Sequence, residues 1–235
     1  MLKIENFEVT GWEAAIRGMR NPKNSWKKSD SFIPCYHKTA CHKCEDNQKC
    51  AYYFEDGLPY KKDDFIGTND LDLMTRLRNA GTDHRKFMRM IIVYIDITAP
   101  LYYWKEFDTY KVGTVANSCS TMHKIADKEF TLEDFSCEHL QNSWLAHLKE
   151  TIRLLNEARD AYNWCNTDAK KEWWWQMIQL LPSSYNQRRT VMLNYEVLAN
   201  MYKSRRNHKL DEWHTFCDWI EKLPYSELIT GKDRK

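Results

Sequence analysis

Four cysteines, Cys35, Cys41, Cys44 and Cys50, stand in the pattern C-x5-C-x2-C-x5-C, with His37 and His42 among them. Four thiolates complete a tetrahedral zinc shell, and the inner C-x2-C is the spacing used at a zinc knuckle. The outer spacings are short for a zinc ribbon, and an iron–sulfur cluster also accepts four thiolates. A loop that holds no metal is the third reading. Against it, the segment has too few apolar residues to order itself, and metal binding would supply that ordering energy. Zinc on these four cysteines is therefore the expectation.

Other chemistry-bearing residues are more dispersed. Cys119 lies between Ser118 and Ser120 in a run of small polar residues from Gly113 to His123, which reads as a loop with room for a ligand. A nucleophilic thiol is one reading; no His stands at a spacing that would activate it, so a plain loop thiol is expected. The turn Asp83-His84-Arg85-Lys86 either holds an anion or is solvated, and the solvated reading is expected. Arg205-Arg206 with His208, near a helix C-terminus, either binds phosphate or complements the helix dipole. A phosphate-cradling glycine loop, a dinucleotide fingerprint and a two-His zinc helix are all missing from the sequence.

The chain around these residues has 235 amino acids, 35 basic and 33 acidic, for a net charge of +2. Nothing in that balance attracts phosphate in bulk, which argues against a dedicated nucleic-acid or membrane-surface protein. Seven Gly and six Pro exclude linkers and low complexity. There is no apolar run of 18 residues and no greasy stretch after Met1, so a cytoplasmic protein with reduced thiols is expected. Ten Trp and thirteen Tyr serve either as core or as stacking surfaces, and core is the usual fate of such rings.

Residues 2–9 alternate apolar and polar as a half-buried strand does, and Trp12 to Arg20 reads as a short helix stopped by Asn21-Pro22. A helix from Asp70 ends at Asn79-Ala80-Gly81. Met90 to Ile97 is a buried strand interrupted by Asp96, and Thr98-Ala99-Pro100 then opens a helix to about Val112. Helices are expected over about 132–163, 168–181, 190–206 and 209–221, the first with an apolar stripe of Leu148, Ile152, Leu155 and Ala158. One domain over 1–235 results, with a Cys-rich insertion over 31–66.

Several of these segments resemble the flavin-dependent thymidylate synthases. Thr98-Ala99-Pro100-Leu101-Tyr102-Tyr103-Trp104-Lys105-Glu106-Phe107 follows a buried strand as in that family, where it leads into the signature R-H-R-x-x-S-x-N-E-x-S-x-R. Laid on without gaps, the signature falls on Thr109 to Thr121. Thr114 keeps a hydroxyl, Lys111 keeps a positive charge, and Cys119 replaces the second Ser. Thr109 and Tyr110 stand for two flavin-contacting residues, and Thr121 for the closing Arg that holds phosphate. Downstream, Leu181-Pro182, Asn194, Asn200 and Arg205 resemble the family's L-P…N-x5-N-x4-R spacing, with Glu196 where an Arg is usual and Ile178 near another Arg position. Trp213 approximates the family's Q-W-E helix, Val9 to Arg20 its opening strand and helix, and His84 the His before its buried strand. The likeness covers about 1–25, 68–122 and 178–215, and leaves the Cys loop outside.

The resemblance implies an α+β fold, a mainly antiparallel sheet flanked by helices, assembled as a homotetramer. It implies FAD held by Asn194, Asn200, Lys111, Thr114 and His84, and a pyrimidine nucleotide or related small molecule met by Arg205, Glu106, Asn117 and Cys119. The family's reaction moves a methylene from methylenetetrahydrofolate to dUMP, with NADPH regenerating the reduced flavin. So many lost arginines leave the substrate open, since the arginine fork is what makes phosphate recognition strong. Two readings follow: a flavin-dependent enzyme with one-carbon or redox chemistry on an altered substrate, or an inactive scaffold that binds partners through its zinc-knuckle loop.

Overall fold

The computed structural model describes residues 2–31, 54–55, 58–59 and 66–232, so Cys35, Cys41, Cys44 and Cys50 and their expected zinc lie outside the described residues. The architecture is α+β, with a mainly antiparallel four-stranded sheet flanked by helices. The sheet order is β1-β4-β6-β5, formed by β1 (Lys3–Thr10), β4 (Ile92–Pro100), β5 (Val115–Ser118) and β6 (Asn186–Asn194). Strands β2 (Phe54–Glu55) and β3 (Leu58–Pro59) form a separate antiparallel pair in register Phe54↔Pro59. The helices are α1 (Trp12–Arg20), α2 (Thr68–Asn79), α3 (Leu101–Phe107), α4 (Asn142–Trp164), α5 (Ala169–Leu180), α6 (Tyr195–Arg205), α7 (Asp211–Ile220) and α8 (Glu227–Thr230). Among the described residues, no helix is long and apolar enough to cross a membrane.

Four expectations are corrected. The run from Gly113 to His123 is not all loop. Val115–Ser118 forms β5, antiparallel to β6 in register Val115↔Met192 and Asn117↔Thr190. All four of its side chains are exposed, so no hydrophobic period announces it, and backbone pairing alone makes it a strand. The helix expected from 190 begins only at Tyr195, because Gln187, Val191 and Leu193 are buried while Arg188 and Thr190 are exposed. That is a two-residue period, with Gln187 in an apolar place and so hard to see. The helix expected from 132 is a single 3-10 turn, Leu132–Asp134, closed by a Thr131/Asp134 capping box; α4 starts at Asn142. The helix expected to reach Val112 stops at Phe107.

The chain divides into two compact units. The first contains Met1–Glu8, Tyr94–Leu193 and Ser204–Trp219. Its helices α4 and α5 pack on each other through Leu148, Ile152, Leu155, Ala158 and Met177, the predicted α4 stripe being buried throughout. A second cluster is aromatic: Trp213 stacks parallel to Phe107 (9° between planes), lies 4.7 Å from Tyr103 and meets Phe216 edge-on. These rings are core, as aromatic abundance alone suggested.

The second unit contains Val9–Val93, Asn194–Lys203 and Ile220–Lys235. Trp12 meets Tyr195 and Tyr225 edge-on at 5.2 and 5.4 Å, and the Tyr195 hydroxyl donates to the Pro224 carbonyl. Gly11 turns the chain between β1 and α1 at φ +90°, and a Cβ there would sit 2.0 Å from the Met90 carbonyl oxygen. Left-handed backbone plus a backbone clash makes this a glycine-only position. Gly11→Ala should cost at least about 2–3 kcal/mol, read as a fall in the urea midpoint at constant slope. A midpoint equal to wild type would mean that the turn relaxes freely.

Candidate functional site

Pairing of β5 with β6 builds one wall of a polar cleft in the first unit. The backbone N–H of Cys119, just past β5, donates to the Arg188 carbonyl at 2.9 Å, and the Gln187 amide donates to the Cys119 carbonyl at 2.9 Å. Clamped on both sides, Cys119, Ser120 and Thr121 face a cleft of about 300 Å³ whose other walls come from Lys128, Glu133, Asp134, Tyr185, Asn186 and Arg188. Lys128 is ion-paired with Asp134. Burial pushes the Tyr185 hydroxyl up, with the Asp134 carboxylate adding to it, so it stays a neutral donor. Glu133 is held below the ordinary carboxylate range by its own backbone N–H and the Thr131 hydroxyl. The lining is rich in hydroxyl and amide groups, with its cation charge already balanced. It suits a small neutral ligand with donors and acceptors on its edge.

Asp96, the polar interruption in β4, fixes one corner of this cleft. Its carboxylate accepts from Thr190 Oγ1 at 2.6 Å, Arg188 Nη2 at 2.8 Å and Asn6 Nδ2 at 3.0 Å, from the two strands beside it. The hydrogen bonds from Thr190, Asn6 and Arg188 hold its carboxyl far below the usual range. Asp96 is thus a permanent anion that orients Arg188 at the cleft's edge. Nothing in the sequence period singles it out beyond the break it makes in an apolar run.

Arg205 and Glu106, both expected to meet substrate, come together in the same unit. Arg205 Nη1 lies 2.8 Å from Glu106 Oε2, and Arg205 Nε donates to the Tyr110 hydroxyl at 3.0 Å. The guanidinium carbon sits 5.1 Å from the Trp213 ring centre and 5.5 Å from that of Tyr110. Burial works against its charge, but the Tyr110 hydroxyl and the Glu106 carboxylate outweigh that and hold it firmly protonated. On the neighbouring face Tyr102 donates to the buried Glu212 carboxylate. Lys111 is exposed, the Thr114 hydroxyl donates to the Tyr110 carbonyl, and Asn117 is exposed in β5.

The remaining expected residues belong to the second unit. The Asn194 side-chain oxygen accepts from the Val197 N–H at 3.0 Å, so this Asn is the N-cap of α6. Asn200, one and a half turns on, accepts from Arg85 Nη2 at 3.2 Å. Arg85 Nε also lies 2.8 Å from Glu196 Oε2, both side chains being largely buried. The two atoms are close but poorly aligned for a hydrogen bond, so the pair is mainly coulombic. The charged turn is therefore only partly solvated: His84 and Lys86 are exposed, while Arg85 turns inward. Arg85 balances the acid at 196. Arg85 stands out from the sequence only as part of a charged turn, and Arg188 not at all, because their partners Asn200 and Asp96 lie 115 and 92 positions away. Among the described residues, no group of three or more His, Cys, Asp or Glu is placed to hold a metal ion.

The fold is that of the flavin-dependent thymidylate synthases. No family model matches the sequence, and no curated protein matches it. Among solved structures, thymidylate synthase X from Helicobacter pylori with FAD and dUMP is similar over 98% of both chains, at a TM-score of 0.61 and 14% identity. A second structure of the same Helicobacter pylori flavin-dependent enzyme, also complexed with FAD and dUMP, is similar over 98% of both chains, at a TM-score of 0.58 and 14% identity.

Proposed function

We propose that this chain binds FAD and acts on a pyrimidine nucleoside, nucleotide or related small molecule through flavin-assisted one-carbon or redox chemistry. The observation that carries the reading is a fold shared end to end with an enzyme solved with FAD and dUMP, with a cleft of about 300 Å³ beside the signature-like segment at Cys119 to Thr121. FAD supplies the redox step when bound, and the protein need only bind and orient planar rings. The donor set fits such rings: Asn194, Asn200, Thr114, Lys111 and His84 for the flavin, and Asn117, Cys119, Glu106 and Arg205 for the substrate. NADPH as reductant and methylenetetrahydrofolate as one-carbon donor belong to the same reading, as does a homotetramer in the cytoplasm. Charge limits the substrate. Arg205 and Arg85 are both engaged by carboxylates within the chain, which favours a ligand of low negative charge.

The engaged arginines also favour the second reading, a scaffold of the same fold without catalysis. A visible spectrum of purified protein separates the two, with calorimetric titration of FAD, deoxyuridine and dUMP. The expected result is a flavin absorption band or FAD binding, deoxyuridine bound better than dUMP, and a mass of four chains by light scattering. Colourless protein that binds none of the three ligands would leave only the scaffold.

A further inference from the structure

We propose that Glu106 sets the charge selectivity of the Arg205 site by occupying its guanidinium as a built-in anion. The two partners are unequal. Arg205 is 16% exposed and fixed by the Tyr110 hydroxyl and by the Trp213 and Tyr110 rings, so its guanidinium cannot follow an incoming group. The Glu106 side chain is 42% exposed and sits in the last turn of α3. The contacts that hold Glu106 are made by its backbone carbonyl, which accepts from Thr109 Oγ1 at 2.7 Å and the Thr109 N–H at 3.3 Å. Its carboxylate can swing to water without breaking the helix. A rigid cation faced by a movable anion is a receptor with its own plug.

A ligand oxyanion reaches Arg205 in one of two ways. It displaces Glu106, competing against an anion tethered at high effective concentration. Otherwise it binds beside Glu106 and meets like charge in a partly desolvated place. Both routes penalise phosphate, and neither brings like-charge repulsion to a neutral ligand. The other acid on this face, Glu212, accepts from the Tyr102 hydroxyl. The inference rests on the reading above only for its nucleoside probes, and inorganic phosphate is used as a probe independent of them.

The test is calorimetric titration of inorganic phosphate, dUMP and deoxyuridine into wild type, Glu106→Gln, Glu106→Ala and the double variant Glu106→Gln/Arg205→Ala. Glu106→Gln keeps shape and removes charge, and its thermal midpoint checks that it folds. Removing the carboxylate should raise affinity for inorganic phosphate by about tenfold or more, and raise the ratio of dUMP to deoxyuridine affinity by a similar factor. Adding Arg205→Ala should erase the gain. Phosphate affinity unchanged in both single variants would overturn the proposal. So would a gain that survives loss of Arg205, since it would then reflect general surface charge. If deoxyuridine and dUMP bind no variant, the nucleoside reading fails while the phosphate comparison still decides the role of Glu106.

Discussion

Asp70→Ala is expected to cost about 3–5 kcal/mol, a large part of the stability of a domain this size. Asp70 opens α2 with no exposed surface, and Arg20, ending α1, is 4% exposed. Arg20 Nε donates to Asp70 Oδ1 at 2.6 Å. The other carboxylate oxygen takes the hydroxyls of Ser29 and Ser31, each at 2.6 Å, and the N–H groups of Asp30 and Ser31 at 3.2 and 3.1 Å. Arg20 then donates to the carbonyls of Ser25 and Lys28. One ion pair thereby orders the irregular chain from 20 to 31, which has little apolar surface to order it otherwise. Truncating Asp70 leaves a buried guanidinium and four donors unmet at once. Asp70→Asn tests the charge alone and should cost less, since its amide still accepts from the serines.

The same residue predicts an acid limit. Burial pushes Asp70 up, but the hydroxyls of Ser29 and Ser31 and the Arg20 guanidinium outweigh it and hold the carboxyl below the ordinary range. A carboxyl depressed on folding contributes stability that is present above its unfolded pKa, near 4, and is lost as pH falls through the folded value. Urea midpoints measured from about pH 6 downward should therefore fall more steeply for wild type than for Asp70→Asn. Equal slopes would show that Asp70 does not titrate as the structure requires.

Much of the fold is legible wherever burial follows a simple period. The stripe Leu148-Ile152-Leu155-Ala158 and the apolar run before Pro100 become the expected elements because each buries one face, whereas the alternation of 2–9 becomes a strand without burying any of its residues from Lys3 to Thr10. The failures share a cause. β5 is exposed on both faces, and β6 carries Gln187 and Arg189 where apolar residues would mark a strand, so two paired strands are hidden by each other's chemistry. The site follows the same division. The meeting of Arg205 with Glu106 joins residues already singled out, whereas the Asp96 network needs β1, β4 and β6 side by side, and no local spacing encodes that. Glu196 is legible only as a departure from the resembled pattern. Its partner Arg85, 111 positions earlier, is legible only as part of a charged turn, and the pairing of the two is not legible at all.

That partner carries the second large prediction. The acid at 196 stands where the resembled family has an arginine, and it is 7% exposed in α6. Alone, such a buried carboxylate would destabilise its surroundings. Arg85 removes the difficulty by bringing its own charge to 2.8 Å and reaching on to Asn200. Arg85→Ala should therefore cost about 3–5 kcal/mol, because it strands Glu196 in a place water reaches poorly. Glu196→Ala should cost less, because Arg85 is 17% exposed and its long side chain can reach solvent. The double variant Arg85→Leu/Glu196→Leu should be more stable than Arg85→Ala, since no charge remains buried without a partner. A thermodynamic cycle over the Ala variants should give a coupling of at least about 1 kcal/mol, measurable from urea midpoints. Coupling near zero would mean that the two charges tolerate each other's absence, and then the acid at 196 would have to be explained by something other than Arg85. A large coupling makes position 196 a compensated buried charge: an acid kept in the fold by a cation from the turn before β4.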